Sequence, residues 1–534
     1  MYRIIFICFT FLLLCQNIFA AEWQWSVSVQ GNISSETGEK PTAFLWIPPD
    51  CKQVRGVVIG QHNMLEEGIL EHSAFRKNLS ALGLAEIWMT PSVDMVFNLS
   101  SSAVFFGTMK NLADLSGYEE LAFAPVIPIG HSAAASYPWN FAAFNPDRTI
   151  AVLSIHGDAP LTNMTGSGKP NPDWGERNLN GIPGLFVMGE DEWIEGRISP
   201  AMKYRKDNPN TPIALLCDAG HGHFDYSDEL INYLNLFISK AVKTRLPQKT
   251  PLHTFPILSA VKPQKGWLVD RWRRNELPNA VSAPYHDYKG NKAEAGWVFD
   301  AQMAKVTEDL YRAARAKIKR SIGFTQQGKL LPPAGSAGFR PLFHPLADGI
   351  TFHVSAINTD TTTHQIDVRY RPEEKIVISR ICGPVKKIND STFQLSFYRM
   401  GFNNTKRSND IWLMASQKGD AKYRSSVQQA NMKIPLTNLK GMPQQIIFPE
   451  IPDQKKSVKS LKLIAHSDAG LPLQYFVKEG PAEIVDGILY FTGIPPRSKL
   501  PLKVTLVAWQ YGCNTPAKQV QSAVPVQRTF SIIN

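Results

Sequence analysis

The sequence predicts an α/β fold with a mainly parallel sheet, followed by β-rich modules. Between residues 22 and 246, short apolar segments alternate with stretches of helical periodicity. This alternation is typical of a parallel sheet with helices on both faces. From residue 349 onward the hydrophobic pattern changes to a period of two, and Gly and Pro separate the short segments. A length of 534 residues is enough for several such domains.

The elements of the first part follow from these patterns. Three helical stretches are predicted at residues 73–82, 105–121 and 227–242, the last with Ser227 as its N-cap. Seven short apolar segments predict strands, at residues 42–47, 55–59, 84–89, 125–129, 149–155, 184–188 and 212–217. Strands separated by helices predict parallel pairing, which places the carboxyl ends of the strands along one edge of the sheet.

Changes of composition divide the rest of the chain. Residues 247–263 are rich in Pro, Lys and Thr and predict a linker after a first domain at residues 21–246. We expect an accessory domain at residues 264–450, which begins with helical sequence around residues 301–319 and continues with β-strands. Residues 451–534 have short strands between Gly and Pro and predict a β-sandwich.

The first twenty residues predict a secretory signal peptide. Arg3 supplies a positive charge, residues 4–14 form an almost unbroken apolar run, and Ala20 offers a small residue at a cleavage point. Cys15 suggests a lipoprotein as the alternative, but Leu14 precedes it where such a site requires a small residue. No later segment predicts a membrane-spanning helix. We therefore expect an exported protein, periplasmic or secreted, without an integral membrane segment.

Charge and cysteine content exclude several classes of protein. With 19% charged and 43% hydrophobic residues, the chain is neither a disordered tail nor a coiled coil. Removal of the leader lowers the net charge from +11 to +10, which favours a polyanionic partner. Outside the cytoplasm that partner would be an acidic polysaccharide rather than nucleic acid. No cofactor or metal ion is expected. The four remaining cysteines lack paired spacing, so neither a disulfide framework nor a zinc ribbon is indicated, although a disulfide can form after export: Cys51, Cys217, Cys382 and Cys513.

The strongest local signal is a small-residue motif around Ser132. The motif reads G-H-S-A-A at residues 130–134, directly after a predicted strand. A serine on a sharp strand-to-helix turn needs small residues two positions before and after it, and Gly130 and Ala134 meet this requirement. Such a turn raises the hydroxyl above the end of the sheet, and the helix N-terminus behind it favours a developing negative charge.

This motif resembles the nucleophile elbow of the α/β-hydrolases, G-x-S-x-G, with Ala134 in place of the last glycine. The resemblance covers residues 22–246. It implies an α/β-hydrolase fold and a serine hydrolase in which an acid and then a histidine follow the nucleophile, each at the end of a strand.

The acid and the histidine are assigned by the same resemblance. Glu192 matches the acid in the turn after residues 184–188, with Asp191 as the alternative and Glu190 less favoured. His221 matches the histidine in the loop after the last predicted strand. In these roles the histidine takes the proton of the serine and passes it to the leaving alcohol, while the carboxylate stabilises the imidazolium.

An oxyanion site is needed next to Ser132, because the tetrahedral intermediate carries a negative charge. The resemblance implies two donors. One is the backbone N–H of Ala133, and the other lies in the loop after residues 55–59, where Asn63 is our choice by position.

Other polar residues near the motifs have alternative interpretations. His131 is expected to pack rather than to catalyse. His221 and His223 could bind a metal ion, but no further ligand spacing accompanies them, and His223 is instead expected to line the pocket. Trp193 and Arg197 are candidate substrate contacts, to a sugar ring and to a carboxylate. Their alternative roles are core packing and a surface salt bridge.

The whole layout is similar to that of exported hydrolases of polysaccharide-degrading Bacteroidetes-type bacteria, in which β-rich modules follow such a domain. Residues 461–496 resemble their immunoglobulin-like end domains. The resemblance implies a carbohydrate esterase that removes acetyl or methyl esters from a plant polysaccharide. The net charge of +10 after removal of the leader favours a uronate-rich, pectin-like polymer as its substrate.

Two other functions stay open on the sequence. One is a carbohydrate-binding or scaffold protein on an inactive hydrolase fold, although the serine, acid and histidine are all present. The other is a serine peptidase, which only substrate tests separate from an esterase. A lipase is disfavoured because the insert at residues 157–180 is polar and rich in Gly and Pro, whereas a lipase requires an apolar lid.

Overall fold

The structure of the chain is a computed structural model, and it describes residues 23–164, 169–274, 276–367 and 374–534. The predicted signal peptide, with Cys15 and the cleavage point, lies outside these residues. Among the described residues, no helix combines the length and the hydropathy that crossing a membrane requires.

The first part of the chain forms one eight-stranded sheet. In chain order its strands are β1 (Trp25–Ser28), β2 (Thr42–Trp46), β3 (Gly56–Gln61), β4 (Leu84–Thr90), β5 (Val126–His131), β6 (Val152–Ile155), β7 (Gly184–Gly189) and β8 (Ile213–Asp218). The spatial order is β1-β2-β4-β3-β5-β6-β7-β8. β1 and β2 pair antiparallel, and β3 to β8 pair parallel. The predicted α/β fold with a mainly parallel sheet is confirmed.

Six α-helices accompany this sheet: α1 (Glu66–Leu70), α2 (Ser73–Leu82), α3 (Ser101–Ser116), α4 (Tyr137–Phe144), α5 (Glu195–Asp207) and α6 (Asp228–Arg245). The prediction for α2 is right at both ends, and Ser227 caps α6 by accepting a hydrogen bond from Leu230 N–H. α3 stops short of the predicted residue 121 because Gly117 takes a left-handed conformation. The sequence missed the short edge strand β1 and also α5, which contains Pro200 and has no apolar stripe.

Both faces of the sheet are buried, which explains the continuous apolar runs in the sequence. Every residue of β3 and β4 is buried. One face packs against α1, α2 and α6, and the other against α3 and α4. The carboxyl ends of β3 to β8 therefore meet at one open edge, called the carboxyl edge below, where parallel sheets place their functional loops.

Residues 264–450, predicted as an accessory domain and called the accessory module below, contain short β-strands and one long helix. Its elements are β9 (Trp267–Val269), β10 (Ala283–Pro284), β11 (Gly296–Val298), α7 (Ala301–Ala314), β12 (Ser321–Gln326), β13 (Lys329–Leu330), β14 (Thr351–His353), β15 (Ser355–Thr359), β16 (Val377–Cys382), β17 (Val385–Lys387), β18 (Thr392–Leu395), β19 (Asp410–Gln417) and β20 (Ser426–Lys433). The structure describes all of the predicted linker, residues 247–263, and this segment contains no β-strand or α-helix. The linker nevertheless packs on the first domain. Arg55 donates a hydrogen bond to the carbonyl of Pro247, and Arg245 donates one to the carbonyl of Ser259.

The last part of the chain is a β-sandwich, as predicted. Its strands are β21 (Ile446–Ile447), β22 (Gln454–Lys455), β23 (Ser460–Lys462), β24 (His466–Ser467), β25 (Gln474–Glu479), β26 (Ala482–Val485), β27 (Ile488–Phe491), β28 (Leu502–Trp509), β29 (Cys513–Asn514), β30 (Gln519–Val520) and β31 (Val526–Ile533). A sheet of order β22-β31-β28-β25 faces a sheet of order β23-β27-β26, and the ring centroids of Phe491 and Phe530 lie 6.0 Å apart between the two sheets.

The four cysteines of the described chain are buried and unpaired.

Buried ion pairs join the accessory module to the carboxyl edge. Arg399 pairs with Glu67 and Glu71, which lie at the start of the sheet's first helix and just after it. Arg424 pairs with Glu190 at the end of β7, and both side chains are buried. These contacts attach the module directly to the loops that follow β3 and β7.

The module also packs closely against the loop between β8 and α6. This loop, residues 219–227, is called the histidine loop below. Gly220 has a φ of +82°, and a Cβ there would lie 2.7 Å from the carbonyl oxygen of Ser425 in the module. Farther along the loop, the ring of Phe224 lies 5.0 Å from that of Trp412 on β19. The module therefore forms part of the surroundings of this loop.

We expect Arg424→Met to lower the free energy of unfolding by about 3 kcal/mol, because it removes one partner of a buried ion pair. Among the described residues, the Glu190 carboxylate would keep as its cation only Arg274, whose side chain is 51% exposed. Denaturant unfolding followed by tryptophan fluorescence measures the change. Lys110→Met is the control, since Lys110 and Asp114 are 65% and 62% exposed and such pairs contribute at most about 1 kcal/mol. Equal effects of the two variants would contradict the assignment.

Candidate active site

Ser132 lies on a tight turn between β5 and the 3₁₀ helix Ser132–Ala134. Its φ of +51° is a left-handed conformation, which a residue other than glycine adopts only where the surrounding structure imposes it. A Cβ on Gly130 would lie 2.0 Å from the carbonyl oxygen of Ala134, so the turn requires glycine there. The structure thus has the strand-to-helix turn that the motif predicts.

A chain of hydrogen bonds joins Ser132 to Glu192 through His223. The Nε2 atom of His223 is 2.7 Å from Ser132 Oγ, and its Nδ1 atom is 2.5 Å from Glu192 Oε2. Because an ionised carboxylate only accepts hydrogen bonds, we assign the proton to Nδ1, and Nε2 then accepts from the serine hydroxyl. This arrangement joins a nucleophile to a base and an orienting acid.

The prediction that His221 contacts Ser132 is wrong. Its Nδ1 atom is hydrogen bonded to Asp225 Oδ2, four residues later in the same loop. Asp225 also accepts a hydrogen bond from Gly222 N–H at 3.0 Å, and this contact fixes the loop so that the second histidine reaches the serine. His223, predicted to line the pocket, is therefore the partner of Ser132, and the sequence analysis missed the part played by Asp225.

The structure brings the predicted acid, Glu192, to the histidine. It lies at the end of the 3₁₀ helix Glu190–Glu192, called the acid turn below, and Gly189 N–H donates to its Oε1 at 3.1 Å. Burial raises the pKa of this carboxyl. The hydrogen bonds from His156 and His223 outweigh that effect and hold the pKa well below its usual range. Glu192 therefore stays ionised at neutral pH.

Glu192 also binds a second imidazole, which the sequence analysis missed. The Nδ1 atom of His156, at the end of β6, is 2.7 Å from Glu192 Oε1, and the ring is fully buried. Burial opposes protonation of this ring, but the hydrogen bond and charge of Glu192 raise the pKa of His156 above its ordinary value. The sequence offered one signal for this role, since His156 directly follows the predicted strand at residues 149–155, where functional residues of a parallel sheet lie. The two oxygens of one carboxylate thus face two different histidines.

His131, expected to pack, is fully buried behind the nucleophile. Burial lowers the pKa of His131 well below its usual value, so the ring is neutral. Its Nε2–H donates to the carbonyl oxygen of His223 at 2.8 Å, and its backbone N–H donates to Glu66 Oε1 at 2.7 Å. His131 therefore supports the backbone of the residue that contacts Ser132.

Asn63 does not act as the predicted oxyanion donor through its side chain. Its Nδ2 atom donates to the carbonyl oxygen of His131 at 2.8 Å and lies 3.3 Å from that residue's Nδ1. The next backbone N–H, of Met64, donates to Glu66 Oε2 at 3.0 Å. Asn63 and Glu66 thus attach the loop after β3 to the turn at the serine. The backbone N–H of Ala133, in the first turn of the 3₁₀ helix, stays the predicted donor.

Asp191, the alternative acid, points away from the two histidines on Glu192. Its Oδ1 atom is 2.5 Å from Lys319 Nζ, in the accessory module. Its backbone N–H donates to the carbonyl oxygen of His221 at 3.0 Å. Asp191 therefore connects the acid turn to the histidine loop and to the module, and it takes no part in the hydrogen-bond chain at Ser132.

Arg197 is not positioned as predicted for a substrate contact, whereas the contact of Trp193 with a sugar ring stays a prediction. Trp193 is half-buried against the core, and its Nε1–H donates to Glu195 Oε1 at 3.1 Å. The Arg197 guanidinium is buried and donates to Glu192 Oε2 at 3.0 Å and to the carbonyl of Gly157 at 2.6 Å. Arg197 is an internal partner of the acid, and neither a surface salt bridge nor a substrate ligand.

The described residues that come nearest to a metal-binding arrangement are Asp218, His221 and Asp225. One ligand-type atom of each lies within 4.8 Å of the others, and His221 Nδ1 is already hydrogen bonded to Asp225 Oδ2. The metal pair considered for His221 and His223 does not form, because the second ring is directed to Ser132 and the first to Asp225.

Comparisons with known proteins give low identities. No family model matches the chain, and no curated protein matches it. Three similar solved structures are FphF, a fluorophosphonate-binding serine hydrolase of Staphylococcus aureus, FrmB, an S-formylglutathione hydrolase of the same organism, and Est1E of Butyrivibrio proteoclasticus. They are 14%, 13% and 16% identical, with TM-scores of 0.30, 0.29 and 0.28. The matches cover 42%, 41% and 41% of this chain, and 99%, 98% and 99% of the respective structures.

The first part of the chain has an α/β-hydrolase fold. This assignment rests on the strand order and on the turn at Ser132, because the likenesses to solved structures are too low to carry it. The wider resemblance to carbohydrate esterases of Bacteroidetes-type bacteria stays a prediction.

We expect His223→Ala to lower the rate of aryl acetate hydrolysis on the order of 10⁴-fold, because Ser132 loses its base. His221→Ala, the matched control in the same loop, should cause a much smaller loss. Initial rates measure the effect, and mass spectrometry after treatment with a phosphonate probe reports whether Ser132 is still labelled. A larger loss in His221→Ala would show that the base is misassigned.

The His221 ion pair predicts a loss of stability at alkaline pH. Burial lowers the pKa of this imidazole, but Asp218 and Asp225 raise it from 6.5 to about 10. Because the folded pKa is above the unfolded one, the stabilisation is complete below pH 6.5 and disappears as the pH rises towards 10. We expect the unfolding free energy to decrease over this window, and to decrease less in His221→Gln. Parallel curves for the two proteins, measured by denaturant unfolding at each pH, would contradict this role.

Proposed function

We propose that this chain is an exported serine carbohydrate esterase that removes acetyl or methyl esters from a plant polysaccharide of the pectin type. The observation that carries the proposal is the hydrogen-bonded chain of Ser132, His223 and Glu192 at the carboxyl edge of the sheet. Such a chain activates a hydroxyl as a nucleophile toward an ester carbonyl.

The reaction follows from these contacts. Ser132 Oγ attacks the ester carbonyl while its proton passes to His223 Nε2, and the resulting oxyanion binds to backbone donors such as Ala133 N–H. Collapse of the intermediate breaks the bond to the alcohol, which leaves with the proton from His223. Water then attacks the acyl carbonyl and gives a proton to the same nitrogen. When this second intermediate breaks its bond to Ser132 Oγ, the acid is released and His223 returns the proton to the serine. An acetyl ester leaves acetate as product, and a uronate methyl ester leaves methanol.

The charge on Glu192 suits this cycle. In each step the imidazole of His223 becomes a cation, and the adjacent carboxylate stabilises it. The contacts from His156 and Arg197 keep that carboxylate ionised and fixed in orientation. Because the pKa of Glu192 lies well below its usual range, this carboxylate should stay ionised as the pH falls, so its own protonation should not cause a loss of activity at mildly acid pH.

Three further observations support a polysaccharide substrate. The predicted leader favours export, and the net charge of +10 without it favours an anionic polymer. The accessory module packs against the histidine loop and against the end of β4, so it adds surface beside the serine on which an extended chain can lie. An inactive binding protein would not need the complete hydrogen-bond chain at Ser132.

The proposal is tested by hydrolysis of methyl-esterified and acetylated pectins, with methanol and acetate release as the readouts. We expect Ser132→Ala to lose activity on the order of 10⁴-fold or more, because the nucleophile is removed. Ser136→Ala is the control, since Ser136 is buried four residues later, and at the N-cap of α4 its hydroxyl forms no capping bond and, among the described residues, donates only to Asn163 Oδ1 at 3.4 Å. Release of methanol or of acetate identifies the ester.

The alternative functions give different results. If neither polymer nor an aryl acetate is hydrolysed, the esterase proposal fails and a carbohydrate-binding role replaces it. Cleavage of a peptide substrate together with inactivity on both polymers would instead identify a peptidase.

A further inference from the structure

The histidine loop contacts the accessory module through alternate residues. A Cβ on Gly220 would lie 2.7 Å from the carbonyl oxygen of Ser425, directly before β20. A Cβ on Gly222 would lie 4.0 Å from Cγ2 of Val427, in β20. His221, between these two glycines, forms its hydrogen bond within the loop instead. One side of the loop therefore lies along β20 of the module.

The next contact in this series is a pair of aromatic rings. The ring of Phe224 lies 5.0 Å from that of Trp412 on β19, at an interplanar angle of 32°. Both side chains are half-buried and pack against the core. Trp412 Nε1–H donates to Asp410 Oδ2 at 3.2 Å, and Asp410 is buried and pairs with Lys433 at 2.9 Å. The module thus presents to the loop a ring that its own strands hold in place.

Phe224 transmits this contact to the imidazole that binds Ser132. Its ring is nearly perpendicular to that of His223, at an angle of 88°, and the centroids are 4.5 Å apart. His223 is also held by its hydrogen bonds to Ser132 and Glu192, and its carbonyl oxygen accepts from His131. Because the two rings touch, the imidazole cannot move toward Phe224 unless that ring also moves. Whatever fixes Phe224 therefore restricts the base.

We propose that Trp412 of the accessory module is a positioning residue for His223 and acts through Phe224. The module ring supports Phe224, and Phe224 in turn supports the base. A misplacement of about 1 Å at a reacting group can lower a rate about 100-fold, so support from this distance affects turnover. This role rests on the proposed hydrolase chemistry at Ser132, but it does not depend on which polymer carries the ester.

The role predicts a particular kinetic change. Binding of a small ester does not require the hydrogen bond between His223 and Ser132, whereas attack by the serine does. Because the same histidine serves both halves of the reaction, kcat and kcat/KM should fall together when it is displaced. Labelling of Ser132 by a phosphonate probe should slow as well, because it also requires the activated hydroxyl.

The test compares Trp412→Ala, Trp412→Leu and Trp412→Phe with Phe343→Ala, all in the full chain. Phe343 is the matched control, because it is a half-buried ring of the same module whose ring partners are Phe352 and Tyr511. Initial rates on an aryl acetate give kcat and KM, and mass spectrometry follows labelling by the probe. Denaturant unfolding shows whether each variant is folded under the assay conditions, and Trp412→Leu replaces Trp412→Ala if the latter is not.

We expect Trp412→Ala to lower kcat and the labelling rate roughly 10- to 100-fold, with KM unchanged, because the imidazole loses its support. Trp412→Leu keeps an apolar side chain and should lose less, and Trp412→Phe keeps a ring and should retain most of the rate. Phe343→Ala should react as the wild type. Since the two residues act in series, Trp412→Ala combined with Phe224→Ala should lower the rate no further than the larger single effect.

Other outcomes would overturn the inference. These are a wild-type rate in the folded Trp412 variants, an equal loss in Phe343→Ala, a change confined to KM, or additive losses when the Trp412 and Phe224 substitutions are combined. If Trp412→Ala slows aryl acetate hydrolysis as expected but no polymer ester is hydrolysed, the inference stands and the proposed function fails. If polymer esters are hydrolysed without any effect of Trp412, the proposed function stands and the inference fails.

Discussion

The candidate site depends on one buried negative charge. The Glu192 carboxylate is surrounded by His223, His156 and Arg197, and its two oxygens accept hydrogen bonds from all three. A buried charge without partners is costly, so the ends of β6, β7 and β8 must lie where their side chains can neutralise it. The position of the imidazole beside Ser132 is a consequence of this neutralisation. The second histidine and the arginine leave the carboxylate little freedom to rotate away from it.

The acid turn also connects the site to the accessory module. Glu190 and Glu192 lie two residues apart on the 3₁₀ helix and point in different directions, the first to Arg424 and the second to His223. Glu190 Oε2 also accepts from Gly220 N–H at 2.9 Å, at the start of the histidine loop. One short turn thus joins both loops of the site to the module, which makes the module a part of the site rather than an independent appendage.

The sequence predicted those features that depend on local rules. The small residues around Ser132 specified its turn, and the capping signal specified the start of α6. The choice of Glu192 came from the resemblance of its turn to the acid turn of the α/β-hydrolases. Both histidines occur in one glycine-containing loop, and pattern alone does not decide between them. That choice depends on the left-handed Gly220 and on the capture of His221 by Asp225.

Residues that act through tertiary contacts had no comparable signal. The role of Glu66 follows from the hydrogen bonds that it accepts from the backbone of Met64 and of His131. His131 lies 65 positions after Glu66 in the sequence, so no local pattern shows this contact. The same applies to Arg424, since nothing in the local sequence shows that its partner is Glu190. Hydrophobic period and turn chemistry predict elements well, whereas a pairing of buried charges appears only when the chain is assembled.

The ion pair between Glu190 and Arg424 has a consequence for how the protein is made. The two residues are 234 positions apart, so synthesis of the acid turn is complete long before its cationic partner exists. Domains generally fold as units in the order of synthesis. The sheet and the turn at Ser132 can therefore form first, with the acid turn and the histidine loop still lacking their support. The order of the site is completed only when the segment with Arg424 has emerged and docked, which couples maturation of the site to synthesis of the accessory module.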